Sequence, residues 1–175
     1  DPLWASSVGY HKYDNVLVVP DAASREKELA FCKANLDSLQ HYPVAELSDA
    51  NKTDHYLIEN QLRYKEWSIK ELKSWEWDPS GYNVAGSFAD MLSNEYEPLD
   101  KRLEHLYERL ASVPAYYEAA KKNIKNPTKE HTALAVEQNI VGVPVFMKAL
   151  PESVEKCGLS RKMKDSIIIR ARNAA

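Results

Sequence analysis

Glycine is scarce in this chain, at five residues in 175. That argues against a fold of strands and tight hairpins, in which Gly supplies the positive-φ corners. Cysteine is scarcer still. Cys32 and Cys157 are the only two, too few and too far apart to read as a disulfide framework, so both are read as semi-buried thiols and the redox compartment stays open. No stretch reads as the roughly 20 consecutive apolar residues of a membrane span. The opening Asp1-Pro2-Leu3-Trp4 has none of the features of a signal peptide. Charge of one sign is also missing: the net charge is −3, which gives no footprint for a nucleic-acid surface.

What is present is ordinary for a globular chain, with 44% apolar and 28% charged residues, enough to bury a core without staples. Apolar residues recur at helical spacing. Asp21 or Ser24 is placed to cap a first helix carrying Leu29, Cys32, Leu36 and Leu39, which ends before Pro43. Ser48 caps a long helix running towards Trp75, with Leu62, Ile69 and Leu72 on its stripe. Tyr64 and Trp67 widen that stripe, so the helix is expected to be covered on more than one side. Glu59 with Arg63, and Glu66 with Lys70, are spaced for surface ion pairs.

Trp75-Glu76-Trp77-Asp78-Pro79-Ser80-Gly81-Tyr82 must then turn, because Pro removes a donor and the residue before it is pushed out of the α region. Two Trp and a Tyr in one turn need burial and hydrogen-bond partners. It is read as a packing node, and secondarily as a ligand subsite.

Phe88, Met91 and Leu92 mark a short helix. Pro98 suits the start of the next, whose Leu99, Leu103, Leu106 and Leu110 form an amphipathic stripe. Pro114 opens another helix, in which Tyr116 and Tyr117 straddle two faces, so that one ring is expected at the surface. A helix over Glu130–Leu150 contains Gly142 and Pro144, and a kink is expected there. Gly158 ends a short helix and Ser160 caps the last, which carries Ile167-Ile168-Ile169 and runs to Ala175 with no stop signal. Val16-Leu17-Val18-Val19 is a candidate strand with nothing to pair with. The reading is all-α: an irregular arm over 1–20, then a helical domain over 21–175 of an array of about eight helices with short Pro-marked loops, cut from a longer helix-rich protein at its C-terminal end.

The search for chemistry finds little. His11, His41, His55, His105 and His131 form no His-Glu-x-x-His pattern. His105 with Glu104 and Glu108 reads as a solvated mixed-charge face. No Ser sits in a nucleophile elbow, no Cys is set beside a His, and Gly81 and Gly86 make no phosphate loop. No catalytic or metal-binding residue is assigned. The candidate packing or substrate-channel contacts are Trp75, Trp77, Asp78, Tyr82, Tyr116 and Tyr117.

The order Trp77-Asp78-Pro79-x-x-Tyr82, then Arg109-Leu110-x-x-Val113-Pro114-x-Tyr116, then Ala119, Asn123, Ile124 and Pro127, with Gly9-Tyr10-x-x-Tyr13-Asp14 ahead of them, resembles the N-terminal part of a bacterial family. It is the domain-of-unknown-function family eight-eight-five. The resemblance covers nearly the whole chain. It implies a large helix-rich parent related to zinc-dependent metallopeptidases, whose zinc-binding His-Glu helix lies several hundred residues further on. Nothing in this sequence matches that helix, so zinc is implied for the parent and no cofactor for this chain. The resemblance also implies an exported parent, periplasmic or at the cell surface and in many members lipid-anchored. Its partners would be the remainder of the parent chain and a peptide substrate, with no nucleic acid and no membrane span. On this reading the chain forms a wall or lid of the substrate channel. The alternative is a stand-alone helical module that binds a peptide or protein.

Overall fold

The computed structural model describes all residues 1–175 and is helical throughout, with no strand. Residues 1–20 are less irregular than expected. Pro2–Ser7 forms a short helix, α1, because Asp1 accepts hydrogen bonds from the amides of Leu3 and Trp4 and Pro2 fits the first helical turn. A single 3₁₀ turn follows at His11–Tyr13. Val16–Val19 is not a strand, since no edge exists for it to pair with; Leu17 instead enters the core.

Helices α2 (Ala22–Leu39) and α3 (Asp49–Trp67) are capped by Asp21 and Ser48. They pack side by side as an antiparallel hairpin, tied by a 2.8 Å ion pair between Glu28 and Lys65. The expected pairs Glu59–Arg63 and Glu66–Lys70 both form. The hairpin buries only Cys32 and Leu62. Tyr64 and Trp67 are exposed, as are Phe31, Tyr56 and Leu57, so this chain does not supply the second cover expected for α3.

The long helix does not reach Trp75 unbroken. It widens into a π turn at Ser68–Leu72 and stops at Lys73, whose φ of 49° is left-handed. A new turn of helix, α4 (Ser74–Trp77), starts there, and a 3₁₀ turn over Pro79–Gly81 completes the reversal.

The core lies in the second half. Helix α5 (Ala85–Ser93) packs on α6 (Leu99–Leu110), and α7 (Val113–Asn123) follows. Leu103, Leu106 and Leu110 on the expected stripe are no more than 1% exposed. Pro98 sits just outside α6 as its cap. Helices α8 (Lys129–Pro144) and α9 (Leu150–Lys156) are joined by a π turn, Val145–Ala149. Pro144 cannot donate to Ile140, and the widened turn beyond it absorbs the slip in the ladder instead of a break. The result is one 28-residue rod, Lys129–Lys156, with a mean hydropathy of 1.3 over its most apolar window. By length and composition alone it is apolar enough to cross a membrane, a test that a core helix also passes.

One side of the rod is bound into the core through Phe146, which meets Phe88 edge-on at 5.1 Å, and through Leu150 and Val154. At Gly142 the approach to α5 is close: a Cβ there would lie 2.7 Å from the Ala85 methyl. Helix α10 (Arg161–Ala174), capped by Ser160, closes the core with Ile167 and Ala171. Arg170 donates to the Tyr107 carbonyl at 2.7 Å and stacks over the Tyr107 ring, fixing α10 to α6. Both cysteines are buried free thiols.

Candidate functional site

The aromatic turn is a junction. Trp77 donates its indole N–H to the Leu72 carbonyl at 2.9 Å, and Trp75 donates to Ile69 at 3.3 Å, so the π turn's free carbonyls are satisfied by the rings that follow it. Asp78 accepts from the Ser80 amide and hydroxyl at 2.9 and 2.5 Å and fixes the 3₁₀ turn. The carbonyls of Glu76 and Trp77 accept the amides of Lys125 and Thr128, which sets the α7–α8 connection against the turn. Tyr82 is buried. Its hydroxyl donates to the Trp75 carbonyl at 2.7 Å and accepts from Asn123 at 3.1 Å. Burial pushes the phenol up, partly offset by Asn123.

Four of the six predicted contact residues converge. Trp75, Asp78, Tyr82 and Tyr116 line a cleft of about 350 Å³ that also holds Arg25. The Arg25 guanidinium lies 3.9 Å from the Trp75 ring centre, and Lys125 approaches the same ring at 5.6 Å. Trp77 turns the other way, with its ring edge-on to His131 at 5.3 Å. Tyr117 lines a separate cleft of about 430 Å³ beside Gly142 and Phe146 and donates to Asn139 at 3.2 Å. Trp75, Trp77, Tyr116 and Tyr117 are all half-buried, so neither ring of the tyrosine pair is fully at the surface. The Tyr116 phenol is pushed up to about 12, by burial first and then by Tyr117 and Tyr82 beside it.

A second constellation gathers around Asp14, which the sequence reading placed in the Gly9–Asp14 part of the family resemblance without giving it a role. Its carboxylate is fully buried and accepts from three side chains: the Ser6 hydroxyl, His11 Nδ1 at 3.0 Å, and the Tyr96 hydroxyl at 2.5 Å. His11 stacks flat on Tyr96 with ring centres 3.6 Å apart. Burial alone would raise the Asp14 pKa, but these donors and the attraction of His11 outweigh it and hold the carboxyl below its ordinary value.

Two arginines of α6 lie within the leucine face, at the seven-residue spacing of Arg102 and Arg109, and that spacing was the available sequence signal for them. Arg102 is satisfied by the carbonyls of Glu97, Met91 and Leu92 at 3.0, 2.8 and 2.9 Å. Arg109 is 1% exposed, and its Nε and Nη2 have no partner.

No three His, Cys, Asp or Glu side chains converge where a metal ion could be held. His105 faces Glu97 at 3.4 Å, and Glu108 is taken by Asn15. The residues present therefore do not fit a zinc centre of their own.

A third feature is apolar. Val136, Ile140, Val143 and Met147 recur at helical spacing along the α8–α9 rod, Leu134 and Val141, seven apart, lie on a second line further round the helix, and all six are exposed. Ile140 and Val141 are the most open, at 67% and 70%.

The fold and these features define a helical domain of a bacterial protein family. Residues 2–175 match the family described as "Bacterial protein of unknown function (DUF885)", and the chain belongs to it. A solved structure from Shewanella oneidensis, of a suspected lipoprotein of unknown function, is similar at 42% identity over 99% of this chain, with a TM-score of 0.96. The chain spans 32% of that protein's length. Comparison with curated proteins gives no match.

Proposed function

We propose that this chain is the N-terminal helical section of a longer, exported protein and forms one wall of its substrate channel, while downstream residues carry the chemistry. The observation behind this is the outer side of the α8–α9 rod. Six large apolar side chains facing water along two lines of one helix are costly for a free-standing domain. The solved relative is long enough to provide such a cover, since about two thirds of its length lies outside the region this chain matches. The α2–α3 hairpin, with Phe31, Tyr56, Leu57, Tyr64 and Trp67 exposed, offers a second face of the same kind. The rod's inner side is bound into the core through Phe146 and Leu150, which favours a protein cover over a bilayer.

Export rests on the solved relative being a suspected lipoprotein. That the parent hydrolyses peptides with zinc is carried by the motif resemblance. The test is elemental analysis of the full-length protein and a mixed-peptide assay with and without chelator. Stoichiometric zinc with chelator-sensitive cleavage is the expected result. A metal-free, inactive full-length protein overturns the peptidase reading.

The alternative, a peptide-binding module, draws on the cleft at Trp75, Tyr82 and Tyr116, where Arg25 over Trp75 presents a cation and a ring face together.

A further inference from the structure

Arg25 is the one cation lining the Trp75 cleft, and it has no acidic partner. Its guanidinium lies over the Trp75 ring, 3.9 Å from the ring centre. Its Nη1 donates to the Pro20 carbonyl at 3.0 Å and to the Asn123 side-chain oxygen at 3.2 Å. A ring against one face and two acceptors at one corner fix the orientation of the group. The other edge, Nε with Nη2, has no protein partner. In Arg109 the same two nitrogens are sealed from water; in Arg25, which is half-buried, they stay accessible. That edge is the fork that takes a carboxylate through two parallel hydrogen bonds. A fork already held in place loses little freedom when it binds.

The rest of the cleft selects among anions. Asp1, Glu28 and Asp78 also line it, and each is already engaged. Asp1 accepts the amides of Leu3 and Trp4, Glu28 pairs with Lys65, and Asp78 accepts from Ser80. These carboxylates leave the Arg25 fork free, but their charge weighs against a doubly charged phosphate or sulfate. A single negative charge is favoured, and a small anion with no other contact gains least. The remaining walls supply that contact: Leu3, Val18, Pro20 and Ile69 join Trp75 and Tyr116 around about 350 Å³. That volume is in the range of small-molecule sites.

We infer that this cleft binds an organic monocarboxylate with an apolar body, its carboxylate on the Nε–Nη2 edge of Arg25 and its body against the apolar wall. The C-terminal residue of a peptide and a short fatty acid both present this chemistry. For the peptide source, the inference rests on the second reading above, a peptide-binding module, and adds the group that is recognised. It does not depend on the α8–α9 rod having a cover.

The test is calorimetry on the full-length protein with chelator present. N-acetyl-L-leucine and octanoate are titrated, each beside its primary amide, together with acetate. At least one of the two acids should bind saturably; N-acetyl-L-leucine marks a peptide terminus and octanoate an acyl chain. The matching amide and acetate should each be weaker by about tenfold or more. Arg25→Lys keeps the charge and loses the fork, and should weaken the acid by about tenfold or more. Val18 is 46% exposed at the cleft, so Val18→Glu remains informative if Arg25→Lys fails to fold. It adds a carboxylate beside the site and should weaken the acid by a similar factor. Absence of saturable binding of either acid at millimolar concentration overturns the inference, as does unchanged affinity in a folded Arg25→Lys or Val18→Glu protein. Equal affinity for acetate and the larger acid also overturns it. An amide that binds as tightly as its acid overturns carboxylate recognition while leaving the peptide-binding reading standing, so the two fail separately.

Discussion

Tyr96 donates its hydroxyl to the Asp14 carboxylate at 2.5 Å, across 82 residues of chain. This bond fastens the N-terminal arm to the loop ahead of α6, and His11 stacked on the Tyr96 ring seals it. Tyr96→Phe keeps the ring and its stacking but removes one of the three donors to a buried carboxylate. A hydrogen bond to a charged group contributes about 1.5–3 kcal/mol, and urea unfolding of the variant should show a loss in that range. An unchanged midpoint would mean that the arm is not held through Asp14.

The same carboxylate sets an acid response. Its folded pKa lies below the ordinary value of 3.8 because Ser6, Tyr96 and His11 stabilise the charged form more than burial opposes it. A group depressed in the folded state contributes stability that is complete above its unfolded pKa and is lost as pH falls through the folded one. Stability should therefore drop as pH falls below 3.8. Asp14→Asn should flatten that part of the curve while lowering stability at neutral pH. An acid limb identical in both proteins would assign the loss to other carboxylates.

Gly142 is the position where α8 comes closest to α5. Adding a methyl there would place it 2.7 Å from the Ala85 side chain, so the helices must part. Gly142→Ala should cost about 1–3 kcal/mol, the range for overpacking, although Ala is the better helix former. The companion Ala85→Gly should recover much of the loss. A stabilised Gly142→Ala protein would show that the contact yields freely.

The helices, their caps at Asp21, Ser48 and Ser160, and the leucine stripe of α6 were legible because each is local: a cap side chain followed by periodic apolar residues. The stop at Lys73 was not, because nothing in a lysine announces a left-handed residue. Continuity of the rod through Pro144 depends on a π turn, which has no sequence signature comparable to a cap. The aromatic turn was visible as a forced reversal, and four of its residues do share a cleft. The Asp14 cluster was hidden because it joins residues 6, 11, 14, 96 and 109, which only tertiary structure brings together. Its local traces were Asp14 and Arg109 within the motifs of the family resemblance and a pair of arginines seven apart on an otherwise apolar face.

The exposed stripe makes the isolated 175-residue chain prone to self-association, with Ile169 of the isoleucine run, 59% exposed, adding to it. Sedimentation should show reversible oligomers at high concentration. Ile140→Lys should shift the chain towards monomer with a stability change within about 0.5 kcal/mol, as for a surface site. A monomeric parent chain that binds no apolar dye would remove the stripe as an interface.

The central claim is that the outer side of the α8–α9 rod is a buried wall in the full-length protein, and thiol labelling at Val141 tests it most directly. Val141 is 70% exposed in this chain, whereas Cys32 and Cys157 are buried and react slowly. A V141C variant is labelled with a thiol reagent in two settings, the 175-residue chain and the full-length protein. The account predicts rapid labelling in the first and strong protection, reversed by denaturant, in the second. Equal, rapid labelling in both would contradict it.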